Sequence, residues 1–316
     1  MKANAAGFKQ LSAQIEDSLS QVMIGKGPVI EQLLIALAAG GHVLIEDVPG
    51  IGKTTLVSSL AKSLSLSFKR IQFTPDLMPS DVTGFNLFNR KTNEFEFQPG
   101  SVMSQMVLAD EINRTSPKTQ SALLEVMQEG QVTVDGVTYR LPQPFMVLAT
   151  QNPIEHLGTY PLPEAQLDRF MLKINLGYPN LDEEVQILRL YDEADPLDRL
   201  RPVAGAQEVI WMREQARMVH CSESVRYYIA SLTAATRQHP AVKLGASPRA
   251  SRMLMQAAKA RALLRGRAFV RPDDVQMIAS SVFSHRISMR PESRLKNIRA
   301  EDVVREVLDR TPVPES

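Results

Sequence analysis

Lys53 and Thr54 on one stretch, and Asp110 and Glu111 on another, are the residues best suited to handle a phosphate chain. The first two close the run Asp47-Val48-Pro49-Gly50-Ile51-Gly52-Lys53-Thr54-Thr55. Glycines there let backbone N–H groups turn inward around phosphate oxygens, and a helix starting at the lysine adds the positive end of its dipole. A lysine at that place reaches β- and γ-phosphates, and the adjacent hydroxyl sits on Mg²⁺. One position departs from the usual spacing: glycine is expected five residues before Gly52, where this chain has Asp47.

Asp110 and Glu111 end the apolar run Val107-Leu108-Ala109. A strand of that kind delivers two acids to its carboxyl edge, where ligands bind in open α/β sheets. Asp110 suits a Mg²⁺ shell and Glu111 suits polarisation of an attacking water; positioning and charge compensation are what phosphoryl transfer asks of a protein. Asn152 follows the apolar run Phe145–Thr150. If that strand lies between the loop strand and the acid strand, Asn152 emerges beside Glu111, able to orient the water or sense the γ-phosphate. Taken alone it is an ordinary turn asparagine before a proline. Arg169 precedes an expected edge strand and is either a surface ion-pair partner or an arginine finger for a neighbour's nucleotide. Arg249 falls in the first turn of a helix, where a cation opposes the dipole. That placement calls for a compensating anion, a γ-phosphate or a surface carboxylate.

Short apolar runs must position these groups. His42–Glu46, Phe68–Phe73, Met106–Ala109, Phe145–Thr150 and Met171–Leu176 read as five strands, and Thr54–Leu64 as the helix after the loop. Alternation of such runs with amphipathic stretches predicts a parallel sheet covered by helices. Two hairpins interrupt it. One spans Phe85–Phe97; the other, Gln131–Leu141, turns at Asp135-Gly136, a strong two-residue turn signal. Both are surface decoration or projections that meet a substrate or a neighbouring subunit. After Gly177-Tyr178-Pro179 the helical period dominates, with helix starts at Ser247-Pro248 and Pro272. The reading is an α/β domain over residues 1–178 and an all-α lid over 179–316.

The whole chain has 316 residues and a formal net charge of +1. Such a balance gives no electrostatic reason to expect nucleic acid. The single cysteine, Cys221, excludes an intrachain disulfide and reads as a small buried thiol. The start of the chain does not lead into a signal-type apolar stretch, and no apolar run approaches a bilayer's span, which together read as cytoplasmic. Trp211 and the methionines Met253 and Met255 read as core.

Several runs together resemble one family. Ile45–Thr54 carries the phosphate loop. Phe73-Thr74-Pro75-Asp76-Leu77-Met78-Pro79-Ser80-Asp81 and Leu108-Ala109-Asp110-Glu111-Ile112-Asn113-Arg114 follow. Then come Ala149-Thr150-Gln151-Asn152-Pro153, Gly158–Phe170 and Gly245-Ala246-Ser247-Pro248-Arg249-Ala250. This ordered set looks like the MoxR family of AAA+ ATPases, over about Ile24 to Arg286. The Asp47 departure recurs in that family. Pro99-Gly100-Ser101-Val102-Met103 departs from it, since proline followed by a β-branched residue and phenylalanine is usual there.

The resemblance implies a P-loop AAA+ fold, a five-stranded parallel sheet sandwiched by helices, with a small helical lid. It implies ATP and Mg²⁺ as cofactors. Lys53 and Thr54 would belong to Walker A, and Asp110 and Glu111 to Walker B. Asn152 would be sensor 1, Arg169 the trans-acting finger and Arg249 sensor 2. Arg114 would face the subunit boundary, and Met23-Ile24-Gly25 would wall the adenine side. A homo-oligomer, a hexameric ring, is implied, as are a partner with a von Willebrand factor A domain and a client enzyme. A nucleic-acid motor and a non-hydrolytic scaffold are the rival readings. The first is disfavoured by charge, the second by the pairing of Glu111 with Asn152.

Overall fold

The computed structural model describes residues 3–48, 50–152, 158–193 and 195–314. The chain opens with α1 (Ala5–Ser20) and α2 (Gly27–Ala39), then alternates strands and helices. In order come β1 (Val43–Glu46), α3 (Lys53–Ser63), β2 (Phe68–Gln72), the short α4 (Pro79–Thr83) and the hairpin β3 (Gly84–Asn89) with β4 (Glu94–Pro99). After them come β5 (Met106–Asp110), α5 (Pro117–Glu129), the hairpin β6 (Gln131–Val134) with β7 (Val137–Arg140), β8 (Met146–Gln151), α6 (Glu164–Leu167) and β9 (Leu172–Ile174). Helices then take over: α7 (Leu181–Glu193), α8 (Pro196–Arg199), α9 (Ala206–Met218) and α10 (Glu223–Gln238). A short strand β10 (Val242–Leu244) precedes α11 (Pro248–Leu264) and α12 (Pro272–Phe283). Strand β11 (Ser288–Met289), α13 (Pro291–Leu295) and α14 (Ala300–Arg310) finish the chain.

Five strands form one parallel sheet in the order β2-β5-β8-β1-β9. Their apolar runs are continuous because both faces are covered, and alternate residues serve opposite layers. Val43, Ile45, Leu108 and Leu148 join one core with α1, α2, α3 and the helical region; Leu44, Val107, Ala109, Val147 and Ala149 join a second with α5. Two expected strands are shorter than their apolar runs. Phe73 lies just past β2, its N–H still donating to the Asp110 carbonyl at 2.8 Å, and Leu176 lies past β9; both are buried.

The α11 helix starts as its sequence dictates. Ser247 accepts a hydrogen bond from the Ala250 N–H, with proline at the first position. Its alanines Ala250, Ala257, Ala258, Ala260 and Ala262 are buried, so it packs closely among its neighbours. The lid is helical apart from the antiparallel pair β10–β11. Buried polar ties dock it on the sheet domain: Arg286 with Asp168, Lys173 with both Glu46 (3.0 Å) and Glu301 (3.1 Å), and Arg213 with the carbonyls of Leu37 and Phe145.

Both hairpins form, and they lean on each other. Phe97 and Tyr139 stack at 3.8 Å between centroids, and Asn86 donates to Asp135 at 2.8 Å. Val102, in the run that departs from the family pattern, is fully buried.

Candidate functional site

The sheet's parallel sense puts the ends of β1, β5 and β8 along one edge. The loop after β1 holds Gly50 at φ +84° and Gly52 at φ +89°, left-handed values that strain any residue with a Cβ. Helix α3 begins at Lys53, so its free N–H groups face the loop's hollow. Pro49 lies outside the described residues. The Lys53 ammonium is folded back onto the loop, donating to the carbonyls of Asp47 (2.9 Å) and Val48 (3.1 Å). Gly50, Ile51, Gly52, Lys53, Thr54 and Thr55 line a cavity of about 790 Å³, a volume in the range of small-molecule sites.

The same cavity is lined by Asp110 and Glu111. Asp110 is 7% exposed. One of its oxygens accepts from the Thr150 hydroxyl at 2.6 Å, the other from Arg70 at 2.6 and 3.1 Å. Glu111 has φ +56°, an unusual value for a residue with a side chain, of the kind that concentrates at functional sites. Its N–H donates to the Thr150 hydroxyl at 2.8 Å, and its carboxylate accepts from Gln72 at 2.7 Å with Arg114 at 3.3 Å. Thr150 thus bonds both acids at once.

Asn152 is buried just past the end of β8, and β8 lies between the acid strand β5 and the loop strand β1, the condition for Asn152 to emerge near Glu111. Met23 and Ile24 line the cavity's other wall; Tyr178, Glu184, Ile187, Leu188 and Tyr191 close it from the linker and α7. That closure places the start of the helical region over the site.

Arg169 and Arg249 stand elsewhere. Both line a second cavity of about 420 Å³ that also touches Gly40, Gly41 and His42, at the start of β1. The four residues of β1 separate that edge from the loop after β1 by roughly 13 Å. Arg213, Arg217, Arg252 and Lys259 line the same cavity and no acid does, among the described residues. Arg169 donates to the Leu124 carbonyl at 2.6 Å, while its Nε is buried without a partner among the described residues. Among the described residues the anion opposite Arg249 is Asp168, at 4.0 Å, so the dipole penalty is met by a carboxylate. Met253 and Met255 are half-buried against the core and also line this cavity; Trp211 packs against the core, and Cys221 is buried.

Thr54 and Asp110 offer hard oxygen donors, the kind Mg²⁺ takes together with substrate phosphates and its own waters. No group of three or more His, Cys, Asp or Glu able to hold a metal occurs among the described residues. Arg70 already sets a positive charge on the Asp110 oxygen a dication would take.

Thr150, Arg70, Gln72 and Lys26 were not singled out by sequence. Thr150 had one readable signal, a hydroxyl at the end of an otherwise apolar strand. Arg70 and Gln72 sit at alternate positions of an edge strand, where polar residues are ordinary.

Residues 42–172 match the profile for the ATPase family associated with various cellular activities (AAA), and residues 234–307 match the AAA lid domain. Chaperone MoxR1 of Mycobacterium tuberculosis is 38% identical, covering 99% of this chain and 87% of its own. The YeaC protein of Bacillus subtilis is 53% identical, over 94% of this chain and 93% of its own. A crystal structure from Cytophaga hutchinsonii, named as a candidate ATPase, superposes with a TM-score of 0.92 at 39% identity, over 99% of this chain and 97% of that one.

Proposed function

This chain belongs to the MoxR family of AAA+ ATPases, whose activity is ATP hydrolysis, and from that premise we propose that it is a Mg²⁺-dependent, ring-forming remodeller of other proteins. The observation that carries the site assignment is the convergence of Lys53, Thr54, Asp110 and Glu111 on one cavity. In this reading the loop from Asp47 through Val48, Pro49, Gly50, Ile51 and Gly52 to Thr55 cradles the phosphates. Lys53 exchanges its two carbonyl partners for β- and γ-oxygens. Thr54 and Asp110 hold Mg²⁺, which when bound neutralises charge on the phosphates. Glu111, held at the cavity by Gln72 and by the Thr150 bond to its N–H, accepts a proton from the attacking water. Asn152 orients that water or reports the γ-phosphate.

Arg169 and Arg249 act on a neighbour's triphosphate. Their shared cavity at the opposite edge, rich in cations, supports a trans role and with it assembly. We take the assembly to be a hexameric ring, with a core of residues 1–178 and a lid of 179–316. A von Willebrand factor A domain protein as partner, a client enzyme and a cytoplasmic setting complete the proposal. MoxR1's name as a chaperone supports the remodelling role. Among the described residues no helix is long and apolar enough to cross a membrane.

Steady-state turnover of the parent and Glu111→Gln tests the catalytic assignment. A fall of at least about a hundredfold with ATP still bound is expected. Equal, near-zero turnover in both would favour a scaffold in which nucleotide only cements the oligomer.

A further inference from the structure

Asp47 stands where a phosphate loop ordinarily has glycine, and a free carboxylate there would repel the phosphates. Both of its oxygens are instead engaged by backbone N–H groups. One oxygen accepts from the Val48 N–H at 3.0 Å. The other accepts from the N–H groups of Leu176 (2.7 Å) and Gly177 (2.8 Å), far along the chain, in the linker between β9 and α7. No cation lies within ion-pair distance of it among the described residues.

The same linker is gripped from its other side. Lys26, 8% exposed, donates to the carbonyls of Leu176 (2.9 Å), Gly177 (3.0 Å) and Tyr178 (3.4 Å). A buried ammonium needs such acceptors. Three residues of linker backbone are therefore held by one acid and one base. Further in, the Asp47 carbonyl is one of the two that Lys53 holds. A continuous chain of contacts runs from the Lys53 ammonium, through Asp47 backbone and side chain, to the linker. From the linker α7 follows, and α7 walls the cavity through Glu184, Ile187, Leu188 and Tyr191.

Resting on the nucleotide reading above, we infer that Asp47 is a positioning residue that straps the core-to-lid linker to the phosphate loop. When Lys53 leaves the Asp47 carbonyl for a phosphate, the loop's adjustment is carried through the carboxylate to α7. The Asp47 carboxylate touches no phosphate in this role, whatever its backbone contributes to the loop; it acts through the backbone of Leu176 and Gly177.

The test uses the full chain with Asp47→Gly, which restores the usual loop residue, and Asp47→Asn, which keeps an acceptor. Amide hydrogen exchange is read at Leu176 and Gly177 without nucleotide, then across α7 with and without a non-hydrolysable ATP analogue and Mg²⁺. Calorimetry measures binding in parallel. In Asp47→Gly the two linker amides exchange about tenfold faster or more. The variant still binds the analogue within about tenfold of the parent, its kcat falls more than its KM changes, and the analogue no longer alters exchange in α7. Asp47→Asn recovers part of both effects. Unchanged linker exchange in Asp47→Gly overturns the strap. A parent-like response of α7 in that variant overturns the coupling. No heat in the parent overturns the nucleotide reading, and the coupling with it, while linker exchange in the nucleotide-free protein still decides the strap.

Discussion

Replacing Asp168 by alanine should unfasten the lid from the sheet domain. Asp168 accepts from Arg286 Nε at 2.8 Å and from the Ser247 hydroxyl at 2.9 and 3.0 Å. The Arg286 side chain is 1% exposed, and Asp168 is its ion-pair partner among the described residues. Burial pushes the Arg286 pKa down to about 10 even with that carboxylate beside it. Its remaining contacts are the carbonyls of Phe170, Met171, Val282 and Asp168 itself, the neutral His285 ring and the Met253 sulfur, none of which can balance a full charge. Removing one member of a buried pair costs about 3–5 kcal/mol. For 316 residues, an unfolding entropy of about 2.1 cal/mol/K per residue gives roughly 0.66 kcal/mol/K, so the loss corresponds to a Tm about 5–8 °C lower. Thermal and urea unfolding both read it. Asp168→Asn, which keeps an acceptor for Arg286, should lose less. The double substitution Asp168→Leu with Arg286→Met should recover most of the deficit, because no charge is then left buried. A drop below about 1 kcal/mol in Asp168→Ala would mean that the Arg286 charge does not depend on Asp168.

His42 makes stability depend on pH. Its Nδ1 accepts from the Val147 N–H at 3.0 Å, so its Nε2 is the nitrogen that donates to the Met127 carbonyl. Burial lowers its pKa from 6.5 to about 4. A depressed pKa means that the unfolded chain binds the proton first, so the stability is whole above pH 6.5 and falls by about 3 kcal/mol as pH drops toward 4. His42→Gln should flatten that slope in urea unfolding across the window, leaving a remainder of the same sign from buried His285. Thr150→Val removes the hydroxyl that bonds Asp110 and Glu111; kcat should fall about tenfold or more with little change in the far-UV spectrum, and an unchanged kcat would count against Thr150 as their organiser. Arg169→Ala and Glu111→Gln should each be inactive alone yet regain turnover when mixed, since a mixed interface pairs an intact acid with an intact arginine; a mixture that stays inactive would argue for action within one chain.

Local spacing made the phosphate loop and the acid pair legible. Gly50-Ile51-Gly52-Lys53-Thr54 and Asp110-Glu111 each sit within a few residues of the strand that aims them. Ser247 and Pro248 announced α11 in the same way. Asn152 was legible only as a condition on strand order, because which strand neighbours which is decided by packing across the sheet. The meeting of Arg169 with Arg249 was not legible. They belong to different halves of the chain and come together through the docking of Arg286 on Asp168. The reach of α7 over the cavity was hidden likewise, because Leu188 and Tyr191 lie in a stretch where the sequence shows only a helical period. The stacking of Phe97 on Tyr139 joins two hairpins that appear independent in sequence. Asp47 looked like a departure from a pattern, and only its contacts with Leu176 and Gly177 give it work to do.

A crystal structure of Glu111→Gln grown with ATP and Mg²⁺ decides whether these residues form one nucleotide site. The expected result is the triphosphate in the cavity beneath α7, Lys53 released from the Asp47 and Val48 carbonyls onto phosphate, and Thr54 with Asp110 on the metal after Arg70 has let go. ATP bound elsewhere, or bound in that cavity with Asp110 still held by Arg70 and no metal between it and Thr54, would contradict it.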